Sequence, residues 1–200
     1  MIRLLGRKTS GNVQKVIFLL EEAKLAYEQE DYGRQFGNTG TAEFLAMNPA
    51  GKVPTLVDDG AALFESNTIL RYLAGTHAPT LTGATPGERA AVECWMDFLL
   101  AAINPGYMAA FKGAKLPPAD RAPGYDGQVK ELVGNLAIMD THLSGKGYFA
   151  LERLTLADIA LGPIVKRCLG FPIDRPSMSA LEAWLASLEQ RPAFQTATAG

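Results

Sequence analysis

Two hydrophobic periods alternate over the first 77 residues, and only one of them persists afterwards. Ile2-Arg3-Leu4-Leu5 is a short apolar run that reads as a strand. Turn residues follow from Arg7 to Asn12. Val13, Val16, Ile17, Leu19, Leu20 and Ala23 then recur at helical spacing, with Lys15, Glu21, Glu22 and Lys24 at the positions between them. Ser10 or Asn12 stands where such a helix needs its N-cap. Tyr27 to Asp31 alternates and reads as a second strand, completing a β-α-β unit whose strands are parallel with a right-handed crossover. Gly33 to Gly40 is loop, and Ala42 to Met47 is a short helix. Thr55 to Val57 and Ala62 to Phe64 are strands separated by Asp58-Asp59-Gly60, a hairpin turn. Ser66 then caps a helix carrying Ile69, Leu70, Tyr72, Leu73 and Ala74. The predicted order is β-α-β-α-β-β-α.

No strand is predicted beyond His77. Ala78-Pro79-Thr80-Leu81-Thr82-Gly83-Ala84 reads as a connector. Thr85-Pro86-Gly87-Glu88 has a Thr at the cap, Pro at the first helical position and Glu at the third, and opens one apolar-rich helix to about Lys112. Gln128 to Leu143 is another, with Val129, Leu132, Val133, Leu136 and Met139 on one face. Thr155-Leu156-Ala157-Asp158 is a second capping box ahead of a helix that Pro163 should kink. Met178 to Leu188 is the last clear helix, closed by Arg191-Pro192. The expected domains are residues 1–77, a linker at 78–85, and an all-helical second domain at 86–200. The fold class is α/β plus all-α.

Composition narrows the function classes. The 200-residue chain is 48% apolar and 20% charged, enough to bury a substantial core. Its net charge of −2 is spread over interspersed acids and bases, which disfavours nucleic acid as a partner. No apolar run approaches the roughly 18 residues of a membrane helix, and the N-terminal residues lack a secretory pattern. Cys94 and Cys168 are far apart with no C-x-x-C, which points to a reducing, cytoplasmic compartment, and both are expected in the core. His77 and His142 lack ligand spacing, so no metal is expected.

Candidate chemistry centres on Asn48-Pro49-Ala50-Gly51-Lys52-Val53-Pro54-Thr55-Leu56. A turn signal is followed by Lys52 and Val53, held extended by the proline after them, and Pro54 removes a donor at the mouth of the strand. Taken alone, these residues favour a trans proline at a strand start. The sequence on either side shifts the expectation to a cis Val53-Pro54 bond, which turns the Val53 N–H and C=O outward together, ready to pair with an extended ligand backbone.

Four stretches together resemble the cytosolic glutathione transferase family, in its serine- or asparagine-type, theta-like or nu-like bacterial branches. They are Thr9-Ser10-Gly11-Asn12-Val13, Asn48 to Leu56, Glu65 to Leu73, and Thr155-Leu156-Ala157-Asp158. Val-Pro and Glu-Ser at this separation after a β-α-β unit make a specific combination, and the match runs nearly end to end. The resemblance implies a thioredoxin-like domain that binds glutathione as co-substrate, with no tightly bound cofactor. It also implies a helical domain that shapes the site for a small hydrophobic electrophile, and a homodimer.

Glutathione is an extended anionic tripeptide, and the resemblance assigns a residue to each of its parts. Ser66 and the free N–H groups of its helix would take the γ-glutamyl carboxylate. Glu65 would receive the ammonium, the Val53 backbone would pair with the cysteinyl part, and Lys52 would reach the glycine carboxylate. The nucleophile is the thiolate. Lowering a thiol pKa of about 8.5 by two units takes roughly 2.7 kcal/mol. One hydrogen bond to the anion contributes about 1.5–3 kcal/mol, so a single polar group at the first helix start suffices. Thr9, Ser10 and Asn12 are the candidates, with Ser10 the best match and Asn12 close behind. No Tyr or Cys occurs in the first 26 residues, which excludes a tyrosine-type enzyme and disfavours mixed-disulfide versions. Pro54, Thr155 and Asp158 are expected to be structural. Tyr107, Met108 and Phe111, late in the long helix, are more often core than pocket. The implied reaction is conjugation, or reduction of a peroxide or disulfide, with a glutathione-dependent lyase or dehalogenase as a further possibility. The alternative is a binding or scaffold protein on the same fold that performs no turnover.

Overall fold

The computed structural model describes residues 1–200, which pack as two compact units. The first holds Met1–Thr82 together with Glu189–Gly200, and the second holds Gly83–Leu188.

In the first unit the strands are β1 (Ile2–Leu5), β2 (Tyr27–Glu30), β3 (Thr55–Asp58) and β4 (Ala61–Phe64). They form one sheet in the order β2-β1-β3-β4. β1 and β2 are parallel, with Ile2 opposite Tyr27. β1 pairs antiparallel with β3, Leu4 opposite Leu56, and β3 with β4, Thr55 opposite Phe64. The three helices read in the sequence are α1 (Gly11–Glu22), α2 (Ala42–Met47) and α3 (Ser66–His77). This is the thioredoxin-like order, with the parallel pair first and the hairpin last. Leu4, Leu5, Val13, Val16, Ile17, Leu56, Ile69, Leu70 and Leu73 are buried in its core.

The chain end departs from expectation. Residues 189–200, read as part of the helical domain, belong to the first unit. Pro192 does not only end the preceding helix: it starts another, as the first residue of α9 (Pro192–Thr198), consistent with the tolerance of proline at a first helical turn. Phe194 and Ala197 are buried. The Phe194 ring meets Phe18 of α1 edge-on, centroids 5.1 Å apart, and Arg191 forms an ion pair with Glu22. The middle of α1 is enclosed: every residue from Val13 to Leu20 is buried, including Gln14 and Lys15.

The second unit is helical: α4 (Pro86–Phe98), α5 (Asn104–Gly113), α6 (Tyr125–Leu143), α7 (Leu156–Leu169) and most of α8 (Ser179–Glu189). The single helix expected to about Lys112 carries a π-helical turn over Leu99–Ile103. Pro105 accounts for it, because it has no N–H for the carbonyl four residues back and its ring clashes there. Asn135 Nδ2 donates to the Ala102 carbonyl in this turn at 2.9 Å. Just beyond, a Cβ on Gly106 would lie 2.6 Å from the Gln128 carbonyl oxygen, so α5 and α6 approach each other closely only because that residue has no side chain. Helix α7 runs through Pro163 without interruption. Cys168 is buried as expected, but Cys94 is exposed. The buried face around it is Val92, Met96, Leu99 and Ile103, and Cys94 is on the opposite side of the turn. Tyr107 is buried, whereas Met108 and Phe111 are each 37% exposed.

A candidate glutathione site

The two ends of the candidate site meet at the starts of α1 and α3. Ser10 is the N-cap residue of α1 by backbone conformation, φ −86° and ψ 122°, yet its side chain makes no capping hydrogen bond. Its hydroxyl is therefore not spent on the helix end. Ser10 is buried, whereas Thr9 and Asn12 are exposed. Ser66 is not a cap, as the sequence suggested, but the first residue of α3. The cap position belongs to Glu65, at φ 67° and ψ 112° with no side-chain capping bond. A non-glycine residue in that region typically costs on the order of 1–3 kcal/mol and tends to mark a ligand clamp. The first-turn N–H groups of a 12-residue helix thus lie next to an exposed carboxylate.

The Ser66 hydroxyl lies 3.4 Å from Asn12 Oδ1, joining residues 54 positions apart. On its other side, Lys15 Nζ approaches Ser66 Oγ at 3.5 Å. Lys15 is 1% exposed, and burial pushes its ammonium down to about 7, opposed by the nearby Glu65 carboxylate. The helical period treats every charged residue as outward-facing, so Lys15 reads as a polar position. A wheel drawn from Phe18 and Leu19 would have shown it, because Lys15 falls between these two apolar residues.

The Val53-Pro54 peptide bond is cis, the isomer that the residues alone did not favour. Val53 lies in the bend ahead of β3, half-buried, beside an exposed Lys52. Asn48, read only as a turn residue, holds this loop. It is 2% exposed. Its Nδ2 donates to the Lys52 carbonyl at 2.6 Å and the Thr55 hydroxyl at 2.9 Å, and its Oδ1 accepts from the Ala50 N–H at 3.0 Å. The turn after β1 closes onto the same place. A Cβ on Gly6 would lie 2.5 Å from Val13 Cγ2 and 3.2 Å from Val53 Cβ, so only glycine lets the chain pass between them.

Residues 2–75 match the family model "Glutathione S-transferase, N-terminal domain", and residues 122–193 match "Glutathione S-transferase, C-terminal domain". The chain belongs to the glutathione S-transferase family. It is similar to glutathione S-transferase GstB of Escherichia coli K12, 36% identical over 200 residues, covering 98% of this chain and 96% of that protein. Among solved structures it resembles the theta class glutathione S-transferase of Xanthomonas axonopodis pv. citri with glutathione bound, at 36% identity and TM-score 0.92, covering 100% of this chain and 97% of the other. A Pseudomonas putida glutathione transferase solved with glutathione disulfide aligns at 27% identity and TM-score 0.87, covering 98% and 90%.

Thr155 and Asp158 of this transferase lie in the second unit. Asp158 is fully buried and its carboxylate accepts four hydrogen bonds. The donors are the N–H groups of Phe149 and Thr155, the Thr155 hydroxyl and the Trp184 indole N–H, each at 3.0 Å. Burial raises its pKa while these four donors lower it. No group of His, Cys, Asp and Glu side chains is placed to hold a metal ion, and no helix is long and apolar enough to cross a membrane.

Proposed function

We propose that this glutathione transferase binds glutathione along the edge formed by residues 10–12, 52–54 and 65–66, and conjugates its thiolate to a small hydrophobic electrophile. The γ-glutamyl carboxylate is received by the Ser66 hydroxyl and the first-turn N–H groups of α3, where free donors and the helix dipole favour an anion. Glu65 takes the ammonium. The Val53 backbone pairs with the cysteinyl residue, and Lys52 answers the glycine carboxylate. Ser10 donates to the sulfur, and the Asn12 Nδ2–H group, which the Ser66 contact to Oδ1 leaves unused, is a second donor. Once the thiol proton has passed to solvent, the sulfur lone pair attacks the electrophilic carbon, forming an S–C bond as the leaving group departs with its electrons. Pro54, Thr155 and Asp158 keep structural roles.

The observation that carries this reading is the 3.4 Å contact between Asn12 and Ser66, which ties the thiol end of the site to the γ-glutamyl end. A homodimer in a reducing, cytoplasmic setting completes the reading. It is supported by the family, by Phe64 exposed on the edge strand β4, and by Leu100, 45% exposed on α4's continuation. The test is glutathione binding with conjugation and peroxidase assays on wild type, Ser10→Ala and Asn12→Ala. Losing the hydrogen bond to the thiolate should lower kcat/KM roughly 10- to 100-fold in Ser10→Ala, with a smaller loss in Asn12→Ala. Failure of the wild type to bind glutathione overturns the site. Binding without turnover on a broad electrophile panel replaces the enzyme with a scaffold protein on this fold.

A further inference from the structure

The proposed glutathione roles leave the one buried lysine of the first unit without a task. Lys15 comes from the middle of an apolar helix, is 1% exposed, and directs its ammonium at the Ser66 hydroxyl at 3.5 Å rather than pairing with a carboxylate. Glu65, exposed at the cap of α3, is the charged group that acts on it, at longer range. A desolvated ammonium with only a neutral partner is costly, and an apolar side chain of similar length fits such a place better. When charged, Lys15 would be offset by an anion that the protein itself does not place beside it. The Ser66 hydroxyl that the ammonium approaches belongs to the first residue of α3, where free N–H groups already favour a negative ligand.

We propose that Lys15 is a positioning residue for the γ-glutamyl end of glutathione, supplying through Ser66 the positive charge that selects a ligand carrying its α-carboxylate. With Lys15 Nζ–H directed at the Ser66 oxygen, the Ser66 hydrogen is free to turn from Asn12 Oδ1 to the arriving carboxylate. The anion then stabilises the protonated amine, so binding draws a proton onto Lys15 from solvent. This inference rests on the reading of Ser66 as the carboxylate subsite.

The test compares S-methylglutathione, which has no thiol proton to release, with its analogue lacking the γ-glutamyl α-carboxylate. Affinities are measured for wild type and Lys15→Met. Lys15→Met should bind S-methylglutathione about 10- to 30-fold more weakly and the decarboxylated analogue within about twofold of wild type. In wild type at pH 8, calorimetry in two buffers of different ionisation enthalpy should show proton uptake with S-methylglutathione and none with the analogue. Equal weakening of both ligands, or of neither, reduces Lys15 to a packing residue, and absence of proton uptake overturns the charge role even if the variant fails to fold. Wild type that binds S-methylglutathione but behaves in either of these ways refutes Lys15 alone. Wild type that binds neither ligand refutes the glutathione site, and this role with it.

Discussion

Burial of Lys15 should be visible in the stability of the protein without any ligand. Its ammonium loses its proton at about 7 in the folded chain, against an ordinary value of 10.5. Between those two values the unfolded chain binds more protons than the folded one, so this group makes stability rise with pH across the window. Below pH 7 its cost is fully present; above about 10.5 it is gone. Each pKa unit corresponds to about 1.36 kcal/mol, and Lys15 is 1% exposed, so little screening by water reduces the figure. With half of the folded molecules still protonated at pH 7, the linkage relation gives a rise of about 2 kcal/mol from pH 7 to pH 9. Lys15→Met removes the titration and keeps the packing. Urea unfolding of both proteins at pH 7, 8 and 9 should find the variant more stable at pH 7, with its advantage shrinking by about 2 kcal/mol by pH 9. An advantage that does not change with pH means that Lys15 keeps an ordinary pKa and is reached by water. A variant less stable than wild type at pH 7 refutes the premise that the charge is uncompensated.

Other substitutions probe the supports of the site. Asn48→Ala leaves the Lys52 carbonyl, the Thr55 hydroxyl and the Ala50 N–H without their partner, and should cost roughly 2–4 kcal/mol in urea unfolding. It should also raise KM for glutathione more than it lowers kcat; unchanged KM would show that the loop needs no staple. Asp158→Ala strands three buried N–H donors at once and should cost roughly 3 kcal/mol or more, read as a lowered melting temperature and a poor yield of folded protein. A variant of normal stability would remove the structural role.

Much of this architecture is legible in the sequence. The strands β1 to β4 and helices α1 to α3 follow from local period and turn chemistry, because each buries a contiguous apolar face. Ser10, Asn12, Val53, Glu65 and Ser66 become site candidates only through the resemblance of their stretches to a family; local propensity alone does not bring Asn12 to Ser66 across 54 residues. What escaped depends on tertiary context. Lys15 carries a charge and so reads as surface, but α9 and α3 cover the helix that bears it. α9 is a seven-residue segment after a helix-ending signal, too short for period to declare it, and Phe194 is its main anchor. The π-helical turn at 99–103 arises because Pro105 sits a few residues inside a segment whose apolar period continues past it.

The return of α9 to α1 also sets an order of assembly. The polypeptide between Thr82 and Glu189 is made before the last dozen residues that complete the sheet-containing unit. On the ribosome, that unit therefore gains its closing helix only after the whole intervening helical segment has emerged. Until then, a nascent chain carries α1 without the Phe194 ring against Phe18.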